Sequence, residues 1–119
     1  MSAKEQTKNR LAIAGQVIDA DTKLAIPGVL VKISQMPDKF KNWLDLHALQ
    51  YGKNWEKMQQ RPDRTLTGID GYFYFINLPD GDYELTVYKT NYKHLKEIKL
   101  NLGVPNTTLD FVLMPQPKS

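Results

Sequence analysis

Residues 65–87, TLTGIDGYFYFINLPDGDYELTV, restrict this chain more than any other stretch. Asp70-Gly71 is a strong turn pair, because glycine takes positive φ freely and Asp bonds its own local backbone. Tyr72, Phe73, Tyr74 and Phe75 follow, and all four favour strand. Period two puts Phe73 and Phe75 on one face and Tyr72 and Tyr74 on the other. Pro79, Asp80 and Gly81 make a second turn, with proline presetting φ. Tyr83, Leu85 and Val87 then alternate with Asp82, Glu84 and Thr86, the pattern of a half-buried strand. The stretch predicts a central hairpin. Its aromatics could stack on a sugar or a base. Core packing on one face and cross-strand pairing on the other account for them more simply.

A chain of 119 residues allows one domain with one modest core. It has no cysteine, which excludes disulfides, thiolate metal sites and a cysteine nucleophile. The start, MSAKEQTKNR, shows no apolar run after its charges, so no signal peptide is visible. No stretch approaches the ~20 apolar residues of a membrane span. The expectation is a cytoplasmic protein, free to be incorporated into an assembled or exported complex. The net charge is +3, and the lysines are interspersed with acidic residues. That is the balance of a solvated surface rather than of a nucleic-acid footprint.

Along the chain, residues 1–9 read as a flexible N-terminal arm. Leu11, Ile13, Gly15 and Val17 alternate as a first strand, and Leu24 with Ile26 forms a short edge segment. Val29, Val31 and Ile33 form a second long strand. At Met36-Pro37 the period changes. Phe40, Leu44, His47, Tyr51, Trp55 and Met58 recur at helical steps, with Trp43, Leu46 and Leu49 widening the same face. Asp38 is a candidate N-cap, Gly52 should interrupt the helix or divide it in two, and Arg61-Pro62 closes it. Ile98, Leu100 and Leu102, then Leu109, Phe111 and Leu113, alternate as two further strands. The single β-sandwich domain is expected over 10–115, with a helical insertion at 36–64 and a tail at 116–119. The pattern is all-β: a seven-stranded Greek-key sandwich with the helical insertion between the second and third long strands.

The segments AGQVIDADTKLAIPGVLVKI, TLTGIDGYFYFINLPDGDYELTVYKTNY and LDFVLMP resemble the carboxypeptidase regulatory-like domain, in the transthyretin-like (prealbumin-like) group of sandwiches. The matching residues are Gly15, Val17, Asp19, Ile26-Pro27-Gly28, Thr67, Asp70-Gly71, Phe73, Leu78-Pro79, Gly81 and Tyr83. The resemblance implies a transthyretin-like or immunoglobulin-like sandwich in which Phe73 and Tyr83 fill the core and the Tyr83 hydroxyl reaches a backbone partner. It also implies an accessory, structural or adhesion role. The insertion is where this chain departs from the family.

Enzyme sites of related folds find little support. The transthyretin-like hydrolases use several histidines and a Tyr-Arg-Gly-Ser end, whereas this chain has two histidines and ends MPQPKS. The intradiol dioxygenases hold iron with two tyrosines and a His-x-His pair, which is missing here. Asp45 and His47 point to different sides of a helix, and Asp80 with Asp82 supplies too few oxygens for calcium. No catalytic, metal or cofactor residue is assigned, and no cofactor is expected. The insertion is the first candidate for binding protein partners, through Phe40, Trp43, Leu44, Tyr51 and Trp55, since Trp and Tyr are enriched at hot spots. The same face could instead dock onto a sheet. A second candidate, for glycans or anions, is Tyr88, Lys89, Tyr92, Lys93 and His94. The expected function is a non-enzymatic structural or adaptor module within a larger assembly, such as a phage-tail-like or secretion-type apparatus. The alternative is a carbohydrate-binding module using exposed strand and loop aromatics such as Tyr72 and Tyr74. Nucleic acid is not an expected partner.

Overall fold

The computed structural model describes residues 11–93, 95–103 and 107–113. Two sheets face each other across one core. Strands β1 (Leu11–Asp19), β4 (Tyr72–Ile76) and β7 (Thr107–Leu113) form one sheet in the order β4-β1-β7. Strands β2 (Leu30–Gln35), β3 (Arg64–Leu66), β5 (Gly81–Tyr88) and β6 (Leu95–Leu102) form the other in the order β3-β2-β5-β6. All pairings are antiparallel except β1 with β7, which run parallel from Ile13 opposite Thr107 to Asp19 opposite Leu113. Six strands run five residues or longer, while β3 has only three. Among the described residues the sandwich thus has six full strands where seven were expected.

The alternation read in the sequence is what fills the core. Ile13, Val17, Val31, Ile33, Phe73, Phe75, Tyr83, Leu85 and Val87 are all buried. Tyr83 packs inward and its hydroxyl donates to Pro79 O at 2.6 Å. Thr67, next after β3, is tied to the loop before β2: its hydroxyl donates to Ile26 O at 2.7 Å and accepts from Val29 N–H at 2.9 Å. Gly71 is fixed by its surroundings. Its φ is +78°, and an added Cβ would lie 2.6 Å from Val17 O, so glycine is required on two counts. Leu24 and Ile26 contribute no strand; Ala25 alone makes a bridge, to Ile18.

The expected central hairpin does not form. β4 pairs with β1, and β5 pairs with β2 and β6, so the two halves of the stretch lie in opposite sheets. Five residues separate Ile76 from Asp82, including Asn77 at φ 58° and Gly81 at φ 144°. That connection is too long for a two-residue hairpin turn and instead carries the chain across the core.

The insertion follows β2. Helix α1 spans Asp38–Leu49, and a 3-10 helix spans Gly52–Lys57. Gly52, at φ +55°, divides the two, as expected. Asp38 is not the N-cap. Pro37 occupies that position with no side-chain cap, and Asp38 opens the first turn, where its charge still suits the helix dipole. The expected arm at 1–9, the tail at 116–119 and His94 lie outside the described residues.

Candidate functional site

The insertion is anchored by three inward side chains. Phe40, Leu44 and Trp55 are buried and join the sandwich core. Phe40 meets Tyr83 edge-on, with ring centroids 6.3 Å apart. A charged latch closes the other end. Arg61 donates from Nε and Nη2 to the two carboxylate oxygens of buried Asp63, both at 2.8 Å. Its Nη1 donates to Trp55 O at 2.9 Å, and its guanidinium sits 4.3 Å from the centroid of the Trp55 ring. The planar fork, the bidentate geometry and the aromatic face are what arginine offers and lysine does not. Asp63 in turn gives its backbone carbonyl to Ile33 N–H at 2.8 Å, so the latch is joined directly to β2.

Outward from that anchor runs a file of rings. Phe40 stacks on Trp43 at 5.7 Å and Trp43 on His47 at 4.8 Å. His47 touches Tyr51 at 5.4 Å, and Tyr51 meets Trp55 at 5.8 Å. Of the five insertion residues singled out in the sequence, Phe40, Leu44 and Trp55 therefore point inward. Trp43 and Tyr51 remain 48% and 39% exposed. Leu46 and Leu49 do not widen the buried face; both are exposed. A twelve-residue helix presents only a stripe to the sandwich, and these leucines lie outside it. His47 is half-buried among rings.

Across from the insertion lies the free edge of the three-stranded sheet. An open groove of about 1550 Å³ separates them. Lys39, Phe40, Trp43, Tyr51 and Met58 of the insertion line it together with Tyr72, Tyr74 and Ile76 of β4. Tyr72 and Tyr74 are 54% and 62% exposed. Asp70 and Asp80, which flank the two ends of β4 in sequence, also line the groove. Sequence reasoning noted all four aromatics but had no means of bringing 43 and 51 opposite 72 and 74. That proximity is set by the β3-to-β4 crossing between sheets.

The second candidate surface is less exposed than the sequence suggested. Tyr88 and Lys93 are exposed and Lys89 is half-buried. Tyr92 is committed elsewhere: its hydroxyl donates to Asp19 Oδ2 at 2.6 Å. Asp19 Oδ1 accepts from the backbone N–H groups of Asp21 and Thr22, at 2.8 and 2.9 Å. The Tyr92 hydroxyl, followed by the Thr22 amide, holds the Asp19 carboxyl below its ordinary value. The same contact raises Tyr92. Burial, with the Asp80 charge nearby, pushes Tyr83 up to about 12.

Among the described residues no three His, Asp or Glu side chains gather as a metal site requires. No helix among them is long and apolar enough to cross a membrane.

Solved structures share the fold. The chain superposes on a streptococcal ancillary pilin with a TM-score of 0.59 and 14% identity, covering 93% of this chain and 34% of that one. A shaft pilin from Lactobacillus rhamnosus GG gives 0.59 and 12%, covering 94% and 48%. The 3-chlorocatechol 1,2-dioxygenase of Rhodococcus opacus gives 0.57 and 13%, covering 98% and 63%. The chain thus spans between a third and just under two thirds of these structures. No curated protein matches it in sequence. The sequence pattern of the carboxypeptidase regulatory-like domain matches residues 12–114.

Proposed function

The chain belongs to the carboxypeptidase regulatory-like domain family, and from that premise we propose that it is a non-enzymatic structural or adaptor module. It joins a larger protein assembly through the groove face of its helical insertion. One observation carries this reading. The insertion is anchored by Phe40, Leu44, Trp55 and the Arg61–Asp63 latch, yet it holds Trp43 and Tyr51 half exposed in a preset geometry. Rigid aromatic side chains beside a buried support are the usual anchors of protein interfaces, because little entropy is lost when they are covered. The likeness to proteins named as pilins fits a module that works inside an assembly. A phage-tail-like or secretion-type apparatus is the kind of assembly in view.

The test compares the intact protein with a Trp43→Ala/Tyr51→Ala double variant in capture from native lysate, read by mass spectrometry. A defined set of proteins held by the wild type and lost by the folded variant is expected. Equal capture by both would remove the insertion from the interface.

A second reading has its own observation. Tyr72 and Tyr74 stand exposed beside half-buried Ala14 and Gln16 on the outer face of the sheet, a platform on which a sugar ring could stack. Binding on a glycan array that Tyr72→Ala and Tyr74→Ala abolish, while Trp43→Ala leaves it intact, would favour this carbohydrate-binding reading over the adaptor.

A further inference from the structure

The free edge of β4 is an unusual one. Natural edge strands are blunted by lysine, proline or a bulge that turns them away. β4 reads Tyr-Phe-Tyr-Phe-Ile, with neither charge nor proline, and its register shift against β1 lies at the far end, where Leu11 and Ile13 face Ile76 and Phe75. Its main-chain groups can be assigned one by one. Val17 N–H donates to Gly71 O at 2.9 Å. Alternation along an antiparallel pair then directs Phe73 toward β1, and Tyr72 and Tyr74 away from it. Tyr72 is already served: its N–H donates to Asp70 Oδ1 at 3.1 Å, and its carbonyl accepts from Gly68 N–H at 2.9 Å. Gly68 therefore fills the place of a neighbouring strand, but only beside Tyr72. The preceding residues then leave for the other sheet as β3. β4 is the edge of its sheet, so the same alternation points the N–H and C=O of Tyr74 away from β1, and Tyr74 lines the groove.

We infer that the groove is a strand-accepting site. An extended segment of a protein partner adds to the open part of β4, makes main-chain hydrogen bonds to Tyr74, and alternates its side chains between the two faces of the sheet. This deepens the adaptor reading and rests on it.

Size argues for this occupant. At about 1550 Å³ the groove exceeds the roughly 300–1,000 Å³ of a small-molecule pocket. At roughly 200 Å² for a whole aromatic side chain, the exposed parts of Trp43, Tyr51, Tyr72 and Tyr74 offer about 400 Å². A stable folded partner, including a second copy of this chain, covers about 800 Å² per side. These four side chains alone make up about half of that. Their area suits a single extended chain, which needs only about 5 Å beside β4 and supplements modest side-chain burial with main-chain bonds. Charge sets a further condition. The groove is lined by Asp70, Asp80, Lys39 and Arg61, and Arg61 is already paired with Asp63. Two carboxylates against one lysine favour a segment carrying lysine or arginine among apolar residues at alternate positions.

The test is selection from a random eight-residue peptide library on the full chain, followed by affinity measurement on variants. Tyr74→Pro removes an outward N–H together with the ring and leaves the bonds to β1 in place, while Tyr74→Ala removes the ring alone and keeps the N–H. Circular dichroism establishes that each is folded. The expected peptides alternate apolar residues with polar ones, carry a basic residue, and lose at least about tenfold more affinity on Tyr74→Pro than on Tyr74→Ala, as one lost hydrogen bond in a shielded site implies. A proline placed opposite Tyr74 in the peptide should cost as much. Equal affinity for the two variants overturns strand addition. If Trp43→Ala/Tyr51→Ala abolishes binding at the same time, the adaptor reading stands alone. Enrichment of no peptide also overturns the proposal, as does protection of the Tyr74 amide that rises with protein concentration, which would assign the edge to a second copy.

Discussion

Two tyrosines that look alike in the sequence do different work. Tyr83 is buried, with its hydroxyl on Pro79 O at 2.6 Å. Tyr83→Phe should cost about 1 kcal/mol in urea unfolding at neutral pH, the net worth of one such bond. Its raised titration adds a sign. The folded state keeps the proton up to about pH 12, whereas an unfolded tyrosine releases it near 10. The contribution is therefore full below pH 10 and is lost as pH rises toward 12, and Tyr83→Phe should lack that alkaline loss. Tyr92 acts in acid instead, through Asp19. Because Asp19 is depressed in the fold, its contribution is present above the unfolded value near 4 and is lost as pH falls through the folded one. Tyr92→Phe should raise the Asp19 titration followed by NMR and flatten the acid limb of stability. A backbone partner for the Tyr83 hydroxyl was implied by the family resemblance, and the contact is local, between residues four apart. The Asp19–Tyr92 contact was not legible in the sequence. It spans 73 residues, and no local pattern encodes it.

The insertion was legible as a helix because its period changes from two to 3.6, but the period located the buried stripe only approximately. Phe40 and Leu44 obey it. Trp43, Leu46 and Leu49 looked like extensions of the same face and lie outside it. Packing decides how wide a stripe is covered, and packing is absent from a single sequence. The two tryptophans should therefore respond differently. Trp55→Ala should destabilise the protein by roughly 3–5 kcal/mol, while Trp43→Ala should cost no more than about 1 kcal/mol; thermal and urea unfolding of the pair decide this. Asp63→Ala leaves a buried Arg61 without its carboxylate and should cost about 3–5 kcal/mol. Residues 65–87 teach a related lesson. Each strand and each turn was readable, yet the two strands pair with different neighbours, because strand alternation fixes a face and leaves the partner open.

At the scale of the molecule, β1 is the hinge of the architecture, paired on one side with β4 and on the other with β7. The β1–β7 pair joins residues as far apart as Ile13 and Thr107, so most of the chain must be enclosed before that sheet is complete. Ending the chain before Thr107 should abolish cooperative unfolding, whereas the outward variants of the insertion should leave it intact; calorimetry distinguishes the two. Because β1 and β7 run parallel in register, the chain enters the pair beside Ile13 and leaves it beside Asp19, at opposite ends of the same ladder. A pull applied through the two ends would load every rung of that ladder at once, in shear, and could not unzip them singly. The sandwich would then carry tension along its strands as a rope splice does, by sharing the load among all its overlaps.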